Sequence, residues 1–489
     1  MMTPRAFIEV LRRPLAELPH ELEMVPVPRA FDVSIRPPGS KSITNRVLLL
    51  AALAEGESEI RGALLDADDA RVMIEALRTL GVGVEIEDAA DSLDECRGSL
   101  GAGSDLDESR PSVSGLSSEP VVRIEGVGGR FKGHCTLNLK NAGTATRFLT
   151  AAACLADGPV VIDGNERMRQ RPIGELVSML REVGVKVEEL GVPGCVPLRV
   201  WPGRPSGARL AVGVTSSSQF VSALMLIGCL LEGGLRVAFT GEPTSRSYID
   251  MTATILRGSF GVRVDAHARE IVVANSPLRG GTLEVEPDAS GATYFWGAQR
   301  LIAGSRCAIP IDARTSTQGD ARFPEALDAL ERAGDAGAHI DLSLMPDAAM
   351  TLGAVACFAR AATTITGLRT LRVKETDRLA AMRNELTKLG VKTDIFSTRS
   401  GASPEHGAAH ADEGIELTPP ARGVDCSPTA PRVVFDTYDD HRMAMSLALV
   451  GLRRPNVVIR DPACVAKTYP TYWRDLAMLY QSAIERSGA

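Results

Sequence analysis

Several short segments of the chain join lysine or arginine to small hydroxyl residues. In GSKSITNR, which starts at Gly39, Lys41 stands at the capping turn of a predicted helix, and Ser42 and Arg46 lie four residues apart on one face. Such side chains suit an anionic ligand, because a helix N-terminus carries roughly half a positive charge and unpaired N–H groups. The phosphate-loop pattern G-x-x-x-x-G-K-[ST] is not met, so nucleotide binding is not indicated.

A second basic segment, RMRQRP, contains Arg167, Arg169 and Arg171. If the chain is extended here, as Pro172 favours for Arg171, the three side chains lie on one side. Crowded like charges of this kind indicate an anion or an acid between them. A solvated basic edge is the alternative.

Two further segments place carboxylates among cations. As a helix, RVKETDR makes Lys374 and Arg378 neighbours, with Glu375 three residues before Arg378. A carboxylate in that position titrates according to whether anions occupy the cations, although a plain surface helix is the alternative. In DDHRMAM, Asp440, His441 and Arg442 open an apolar helix, where charge is costly unless it is used.

Three isolated features complete the candidates. Asp347 in PDAAM stands at the cap of a predicted helix, a place that by itself requires no further role. Lys467 in CVAKTYP follows a predicted strand. His406 and His410 are four residues apart, but they lie in a Gly/Ala/Glu loop where we expect no metal.

The elements that position these residues follow a repeat. Six times, small polar or acidic residues precede an apolar helix, a break and a β-branched strand. Because the helices are apolar almost all round, we expect them to be buried, in two similar α+β domains of three copies each. If their N-termini face one region, they form an anion site. The copies start at Gly39, Asn141, Ser216, Asp288, Asp347 and Asp440.

More polar amphipathic helices, each ending near a glycine, separate the copies. Residues 87–121 and 397–431, rich in Asp, Ser, Gly and Pro, are predicted to be insertions or loops.

Composition limits the function classes. The chain has 489 residues, a net charge of −7, 4% aromatic residues and nine singly spaced cysteines. Acidity and few aromatics argue against nucleic acid as a partner, and the cysteines argue against a disulfide framework. The longest apolar stretch, residues 220–231, is too short to span a bilayer, so we expect a cytoplasmic protein that does not bind membranes.

Taken in order, these motifs resemble the EPSP synthase family, the 3-phosphoshikimate 1-carboxyvinyltransferases. The resemblance runs from PPGSKSITNR through NAGTATR, RMRQRPIGELV, SSSQF, SRSYIDMT, PDAAMT, RVKETDRLAAM and YDDHRMAM to CVAKTYPTYW. The wording of NAGTATRFLTAAAC and CVAKTYPTYW resembles the synthase portion of fungal pentafunctional shikimate-pathway proteins more than it resembles typical bacterial chains. The resemblance implies an α/β fold of two pseudosymmetric domains, 40–285 and 1–39 plus 286–489, each an inside-out barrel of three βαβαββ units, with the ligands between them.

The resemblance also implies an activity. The family transfers the enolpyruvyl group of phosphoenolpyruvate to the 5-hydroxyl of shikimate 3-phosphate through a tetrahedral intermediate and releases phosphate, in the biosynthesis of chorismate and aromatic amino acids. It implies no metal, no organic cofactor and a monomer. Because helix dipoles and cations repel across an empty cleft, we expect an open form that closes when shikimate 3-phosphate bridges the two halves.

Site residues carry over motif by motif. Asp347 is the implied base for the 5-hydroxyl, and Glu375 is the implied acid for the phosphoenolpyruvate methylene, with Lys41 as its rival. Phosphoenolpyruvate is implied to contact Lys41, Gly143, Arg171, Gln219, Arg378, Arg442 and Lys467. Shikimate 3-phosphate is implied to contact Ser42, Arg46, Ser217, Ser218, Gln219, Ser245, Tyr248, Asp347, Thr370 and Lys374.

Two residues depart from the family pattern. Thr370 stands where the family often has asparagine, and Phe148 stands where proline is frequent. Phe148 borders the implied phosphoenolpyruvate region, so glyphosate sensitivity is not predicted even though Gly143 keeps the small residue associated with it.

Two other functions are compatible with parts of this pattern. The related UDP-N-acetylglucosamine enolpyruvyl transferase shares the fold and donor, but its family uses a loop cysteine for which this chain has no matching motif. A catalytically silent binding protein is the second alternative, and the intact Lys41, Asp347, Glu375 and Arg442 argue against it.

Overall fold

The computed structural model describes residues 2–87, 120–203, 206–398 and 412–486. Apart from its ends, the predicted insertion 87–121 lies outside these residues, as do His406 and His410. The ends of the insertion are adjacent, because Glu87 pairs with Val121 where two antiparallel strands meet.

Six mainly apolar helices, here called the inner helices, form the interior. They confirm the predicted repeat, since a strand follows each one. In the first, all residues from Ile43 to Leu53 are buried, as expected of a helix without a polar face. The inner helices are Lys41–Leu53, Gly143–Ala152, Ser218–Gly228, Ala289–Leu301, Ala349–Ala356 and His441–Gly451, and the strands after them are Glu55–Arg61, Val160–Asp163, Glu232–Phe239, Arg306–Ala308, Thr363–Thr366 and Val457–Arg460.

Amphipathic helices lie outside the inner ones and bury one face each. The N-terminal and C-terminal helices pack together, with the rings of Phe7 and Tyr480 5.2 Å apart. These outer helices are Pro4–Leu11, Asp68–Thr79, Gly174–Glu182, Arg246–Phe260, Phe323–Ala333, Arg378–Thr387 and Tyr472–Glu485. No helix in the described parts of the chain is long and apolar enough to cross a membrane.

Four sheets share one strand order, in which a parallel pair is followed by two antiparallel neighbours. In three of them an inner helix connects the parallel pair, as a crossover requires. The four sheets, in strand order, are Thr282–Glu284, Glu55–Arg61, Val121–Val127 and Gly83–Glu87; Cys135–Asn138, Val160–Asp163, Leu198–Val200 and Val187–Glu189; Ser206–Val212, Glu232–Phe239, Glu270–Val273 and Val264–Ala266; and Ala338–Asp341, Thr363–Thr366, Asp412–Thr418 and Lys392–Thr398.

Two smaller sheets complete the fold. They are Glu21–Glu23, Val457–Arg460 and Val433–Phe435, and Asp32–Ser34 with Arg306–Ala308. One prediction is corrected here, because strand Asp412–Thr418 lies inside residues 397–431, which were predicted to be loop. Its buried and half-buried residues do not alternate strictly, and pairing with the strand Lys392–Thr398 fixes it.

The buried apolar residues form two separate clusters. One extends from Ile43 to Val285, and the other combines residues 7–35 with residues 294–483. The chain passes between them twice, and the two passages pair: the Ser40 N–H donates to the Glu286 carbonyl and the Asp288 N–H to the Pro38 carbonyl, both at 2.8 Å. We propose that the clusters are two domains, 40–285 and 1–39 plus 286–489, here called the first and second lobes.

Candidate active site

A cleft between the lobes contains almost all of the predicted site residues. Of the site residues that the family resemblance implies, Lys467 alone lies outside its lining, and it contacts the lining residue Asp69. The predicted residues that line the cleft are Lys41, Ser42, Arg46, Gly143, Arg171, Ser217, Ser218, Gln219, Ser245, Tyr248, Asp347, Thr370, Lys374, Glu375, Arg378 and Arg442.

The first inner helix brings Lys41, Ser42 and Arg46 to the cleft. Arg46 is only 1% exposed. Its Nη1 donates to the Ser42 carbonyl at 2.7 Å, and its Nε donates to the Thr252 hydroxyl at 2.8 Å. Burial lowers the pKa of Arg46 to about 10, so the side chain stays cationic at neutral pH. Phe148, which departs from the family pattern, lies with its ring centre 5.1 Å from the Arg46 guanidinium, a cation–π distance.

The arginines of RMRQRP do not share one side, so the extended-chain prediction is wrong for this segment. A 3₁₀ turn, Met168–Gln170, separates them and sends Arg169 to Asp163 at 2.6 Å. Arg171 is extended, as predicted for a residue before proline, and its Nη1 donates to the Asn141 side chain at 3.1 Å. Arg167 turns toward the second lobe.

Gly143 begins the second inner helix directly beneath Arg171. A Cβ atom at Gly143 would lie 2.5 Å from Arg171 Nη2 and 2.7 Å from Arg147 Nη1. The pKa of Arg147 falls to about 9, through burial first and the neighbouring charge of Arg171 second. The absent side chain therefore leaves room for two adjacent guanidinium groups.

The third inner helix and the outer helix after it complete the first lobe's wall. The Ser217 hydroxyl caps its helix by accepting from the Gln219 N–H at 3.2 Å, and the Gln219 amide donates to the Thr144 hydroxyl at 3.2 Å. Ser245 has a left-handed backbone with φ of 46°, just before the helix that carries Tyr248. The Tyr248 hydroxyl lies 3.4 Å from Asp347 Oδ2, across the cleft.

Asp347 does not cap its helix, and this corrects the simpler reading of PDAAM. It lies in the 3₁₀ turn Pro346–Ala348 without a capping hydrogen bond. Its carboxylate is 3.1 Å from Lys374 Nζ, 2.9 Å from Arg378 Nη1 and 3.4 Å from Arg442 Nη2. Although burial acts to raise it, the pKa of Asp347 lies far below its usual value because of these three cations.

RVKETDR is not a continuous helix, and this prediction is also wrong. A 3₁₀ helix ends at Val373, and the next helix begins at Arg378, where the Asp377 carboxylate accepts from the Ala380 N–H at 3.0 Å. Glu375 Oε2 still lies 2.8 Å from Arg378 Nη2. Burial acts to raise the pKa of Glu375, but the charges of Arg378 and Arg171 keep this pKa well below its usual value.

Asp440 and Arg442 each pair with an opposite charge, as expected of charged residues at the start of an apolar helix. The Asp440 carboxylate caps the sixth inner helix by accepting from the Arg442 N–H at 3.0 Å, and it pairs with Arg378 at 2.7 Å. His441 is fully buried, and burial lowers its pKa well below the usual value. It is therefore neutral at physiological pH.

Asp69 is the main residue that sequence reasoning missed. It is 3% exposed and lies 3.3 Å from Lys41 Nζ and 3.5 Å from Lys467 Nζ. Lys467 Nζ also donates to the Asn141 carbonyl at 3.1 Å. The one sequence signal was a second consecutive acid at the start of a helix, which is also typical of simple capping.

Comparison with known proteins identifies the family. The model of the EPSP synthase (3-phosphoshikimate 1-carboxyvinyltransferase) family matches residues 27–108 and 112–476. The chain belongs to the EPSP synthase family. A 3-phosphoshikimate 1-carboxyvinyltransferase from Laribacter hongkongensis is 39% identical over 463 residues, 90% of this chain and 95% of that protein. One from Rhizobium etli is 37% identical over 463 residues, 94% of this chain and 97% of that protein.

An EPSP synthase structure from Acinetobacter baumannii has the same fold, with a TM-score of 0.66. It is 24% identical, and the match covers 92% of this chain and 96% of that one. The predicted mixed α/β fold is therefore confirmed. The cations that line the cleft come from several distant segments of the chain. These segments are the motifs on which the resemblance to EPSP synthases was based.

Proposed function

We propose that this chain transfers the enolpyruvyl group of phosphoenolpyruvate to the 5-hydroxyl of shikimate 3-phosphate and releases phosphate. The observation that carries the proposal is the cleft that Lys41, Arg171 and Arg378 line together with the carboxylates of Asp347 and Glu375. Family membership and the names of the relatives support the same reaction.

Both substrates are anions, and the charge of the cleft suits them. Lysine acts as a mobile point charge, whereas a planar guanidinium matches carboxylate and phosphate oxygens two at a time. We propose that phosphoenolpyruvate is held by Lys41, Gly143, Arg171, Gln219, Arg378, Arg442 and Lys467.

We propose that shikimate 3-phosphate lies mainly against the first lobe. Hydroxyl donors and the buried Arg46 on that side suit a phosphate and a polyhydroxy ring. Thr370 in the second lobe is 4% exposed, and its hydroxyl has no hydrogen-bond partner among the described residues, which suits a substrate oxygen. The proposed contacts are Ser42, Arg46, Ser217, Ser218, Gln219, Ser245, Tyr248, Asp347, Thr370 and Lys374.

Proton transfer is assigned to the two carboxylates. In the addition step, Asp347 takes the proton of the 5-hydroxyl as its oxygen bonds to the phosphoenolpyruvate C2 atom, and Glu375 delivers a proton to the methylene carbon. In the elimination step the methyl group returns that proton to Glu375, the C–O bond to phosphate breaks, and the phosphate leaves with the proton from Asp347. Lys41 is the alternative acid.

The cations that hold down the pKa of Asp347 are also the proposed anion ligands. When substrate anions neutralise Lys374, Arg378 and Arg442, their effect on Asp347 weakens, and its proton affinity rises. Anions bound to Arg171 and Arg378 weaken the effect of these cations on Glu375 in the same way, so Glu375 takes up the proton that it then delivers. Substrate binding thus prepares both the base and the acid. Positioning and neutralisation of charge in a closed site supply most of the remaining rate enhancement.

Phosphate release tests the proposal. The purified chain is incubated with phosphoenolpyruvate and either shikimate 3-phosphate or UDP-N-acetylglucosamine. We expect phosphate only with shikimate 3-phosphate. Release with the nucleotide sugar would favour the related transferase, and binding without release would indicate a silent binding protein.

We further propose that the chain acts as a monomer, because one chain supplies both walls of the cleft. We also propose that it acts in the cytoplasm and without a cofactor.

A further inference from the structure

Arg167 makes an unusual contact across the cleft. It follows the strand Val160–Asp163 of the first lobe, but its guanidinium reaches the second lobe. Its Nε donates to the Glu375 carbonyl at 2.8 Å, and its Nη2 donates to the Lys374 carbonyl at 3.2 Å. One planar side chain therefore holds two consecutive peptide groups of the opposite lobe.

The residues held by Arg167 lie in an irregular stretch. The 3₁₀ helix ends at Val373, the next helix begins at Arg378, and Lys374 is extended. Because helical hydrogen bonds do not fix this stretch, contacts from outside determine how its side chains are directed.

Those side chains are central to the proposed reaction. From these peptide groups, Lys374 Nζ reaches Asp347 at 3.1 Å, and the Glu375 carboxylate reaches Arg378 at 2.8 Å. A shift of the backbone between them would move the proposed acid and a ligand of shikimate 3-phosphate together. Since Arg167 belongs to the other lobe, its two bonds exist only while the lobes are together.

We propose that Arg167 is a positioning residue that couples closure of the cleft to placement of Glu375 and Lys374. This inference rests on the proposed function. Arg167 contacts the peptide groups rather than the proposed substrates, so its role differs from that of Arg171 in the same segment. It acts on turnover and leaves the first lobe's binding surface intact.

The segment offers a matched control. Arg169 is two residues away and exposed, and it bonds Asp163 of its own lobe at 2.9 and 2.6 Å. Arg167→Gln, Arg167→Lys and Arg169→Gln are compared with the unsubstituted chain in three measurements: kcat for phosphate release, Kd for shikimate 3-phosphate alone by calorimetry, and the thermal unfolding midpoint.

We expect Arg167→Gln to lower kcat about 10²-fold, the size of effect that misplacement of a reacting group produces. Its Kd for shikimate 3-phosphate should rise much less than kcat falls, because most of the proposed contacts belong to the first lobe, and its unfolding midpoint should match that of Arg169→Gln. Arg167→Lys should recover part of kcat, because an ammonium group still donates to one carbonyl. Arg169→Gln should have the kcat of the unsubstituted chain.

The inference is overturned if Arg167→Gln and Arg169→Gln have the same kcat. It is also overturned if the loss of kcat is matched by an equal loss of shikimate 3-phosphate affinity or of stability, because either result indicates a binding or folding role. An inactive unsubstituted chain would refute the proposed function and this inference together, whereas an active chain with an active Arg167→Gln variant refutes the inference alone.

Discussion

Asp347 and Arg378 are joined by an ion pair of 2.9 Å in which the guanidinium is 1% exposed. Arg378 also pairs with Glu375 at 2.8 Å and Asp440 at 2.7 Å, so one cation holds both proposed catalytic carboxylates and a helix cap. A buried charge of this kind persists only when its partners compensate it. The position of the proposed base is therefore set by residues that are distant in the chain.

Asp347→Asn keeps the shape of the side chain and removes the base. We expect kcat to fall about 10²–10⁴-fold, the usual range for loss of a general base. Affinity for phosphoenolpyruvate should not fall, because Lys374, Arg378 and Arg442 lose a competing carboxylate. Steady-state kinetics measure both values, and the exposed Asp335→Asn is the control. Normal turnover by Asp347→Asn would refute the assignment.

Glu375→Gln removes the proposed acid while keeping a polar group beside Arg378. We expect kcat to fall about 10²–10⁴-fold, with little change in the Kd for shikimate 3-phosphate. The exposed Glu325→Gln should behave as the unsubstituted chain. If Glu375→Gln turns over normally while Lys41→Gln does not, the proton comes from Lys41 instead.

Gly143→Ala adds a methyl group 2.5 Å from Arg171 Nη2. Overpacking of this kind costs about 1–3 kcal/mol, which corresponds to about a 5- to 150-fold rise in KM if it falls on binding. We expect the rise in KM for phosphoenolpyruvate, with much less effect on shikimate 3-phosphate, because Arg171 belongs to the proposed phosphoenolpyruvate site. Equal losses for both substrates would contradict this division of the cleft.

Gly258→Ala is the matched control for that substitution. Gly258 is exposed near the end of the helix Arg246–Phe260, and a Cβ there would meet nothing within 4 Å. We expect unchanged kinetics and a gain of about 0.5–1 kcal/mol in the free energy of unfolding, because alanine loses less backbone entropy than glycine.

Asp320→Asn should change the pH dependence of stability. Burial raises the pKa of Asp320 to about 6, from 3.8. A carboxyl group with a raised pKa in the folded state contributes stability below its unfolded pKa and loses it as pH rises through the folded pKa. The variant does not ionise, so its free energy of unfolding relative to the unsubstituted chain should be higher at pH 8 than at pH 5.

Chemical denaturation at the two pH values measures this difference. Asparagine can still accept the hydrogen bond that Ser290 donates to Asp320 at 2.7 Å, so the comparison isolates the charge. Asp475, whose pKa burial also raises to about 6, provides an independent site where the same sign is expected. If the free energy of unfolding of Asp320→Asn differs from that of the unsubstituted chain by the same amount at pH 5 and pH 8, the raised pKa of Asp320 is contradicted.

Residues close together in the chain carried the correct local predictions. The apolar runs predicted the six inner helices, because a helix that is buried on all sides has no polar face. Pro172 predicted that Arg171 is extended. Ser217 and Asp440 cap their helices as their types indicate. The motifs also indicated the family and which residues line the cleft.

The sequence by itself thus determined the repeated elements, the family and the chemistry of the candidate residues. Only the tertiary structure decided which charges meet: Asp347 pairs with cations instead of capping, Arg167 bonds the backbone of the opposite lobe, and Asp69 joins Lys41 to Lys467. The reason is physical. Helix formation depends on neighbours within a few residues, whereas ion pairs between residues hundreds of positions apart depend on how two lobes fold and meet.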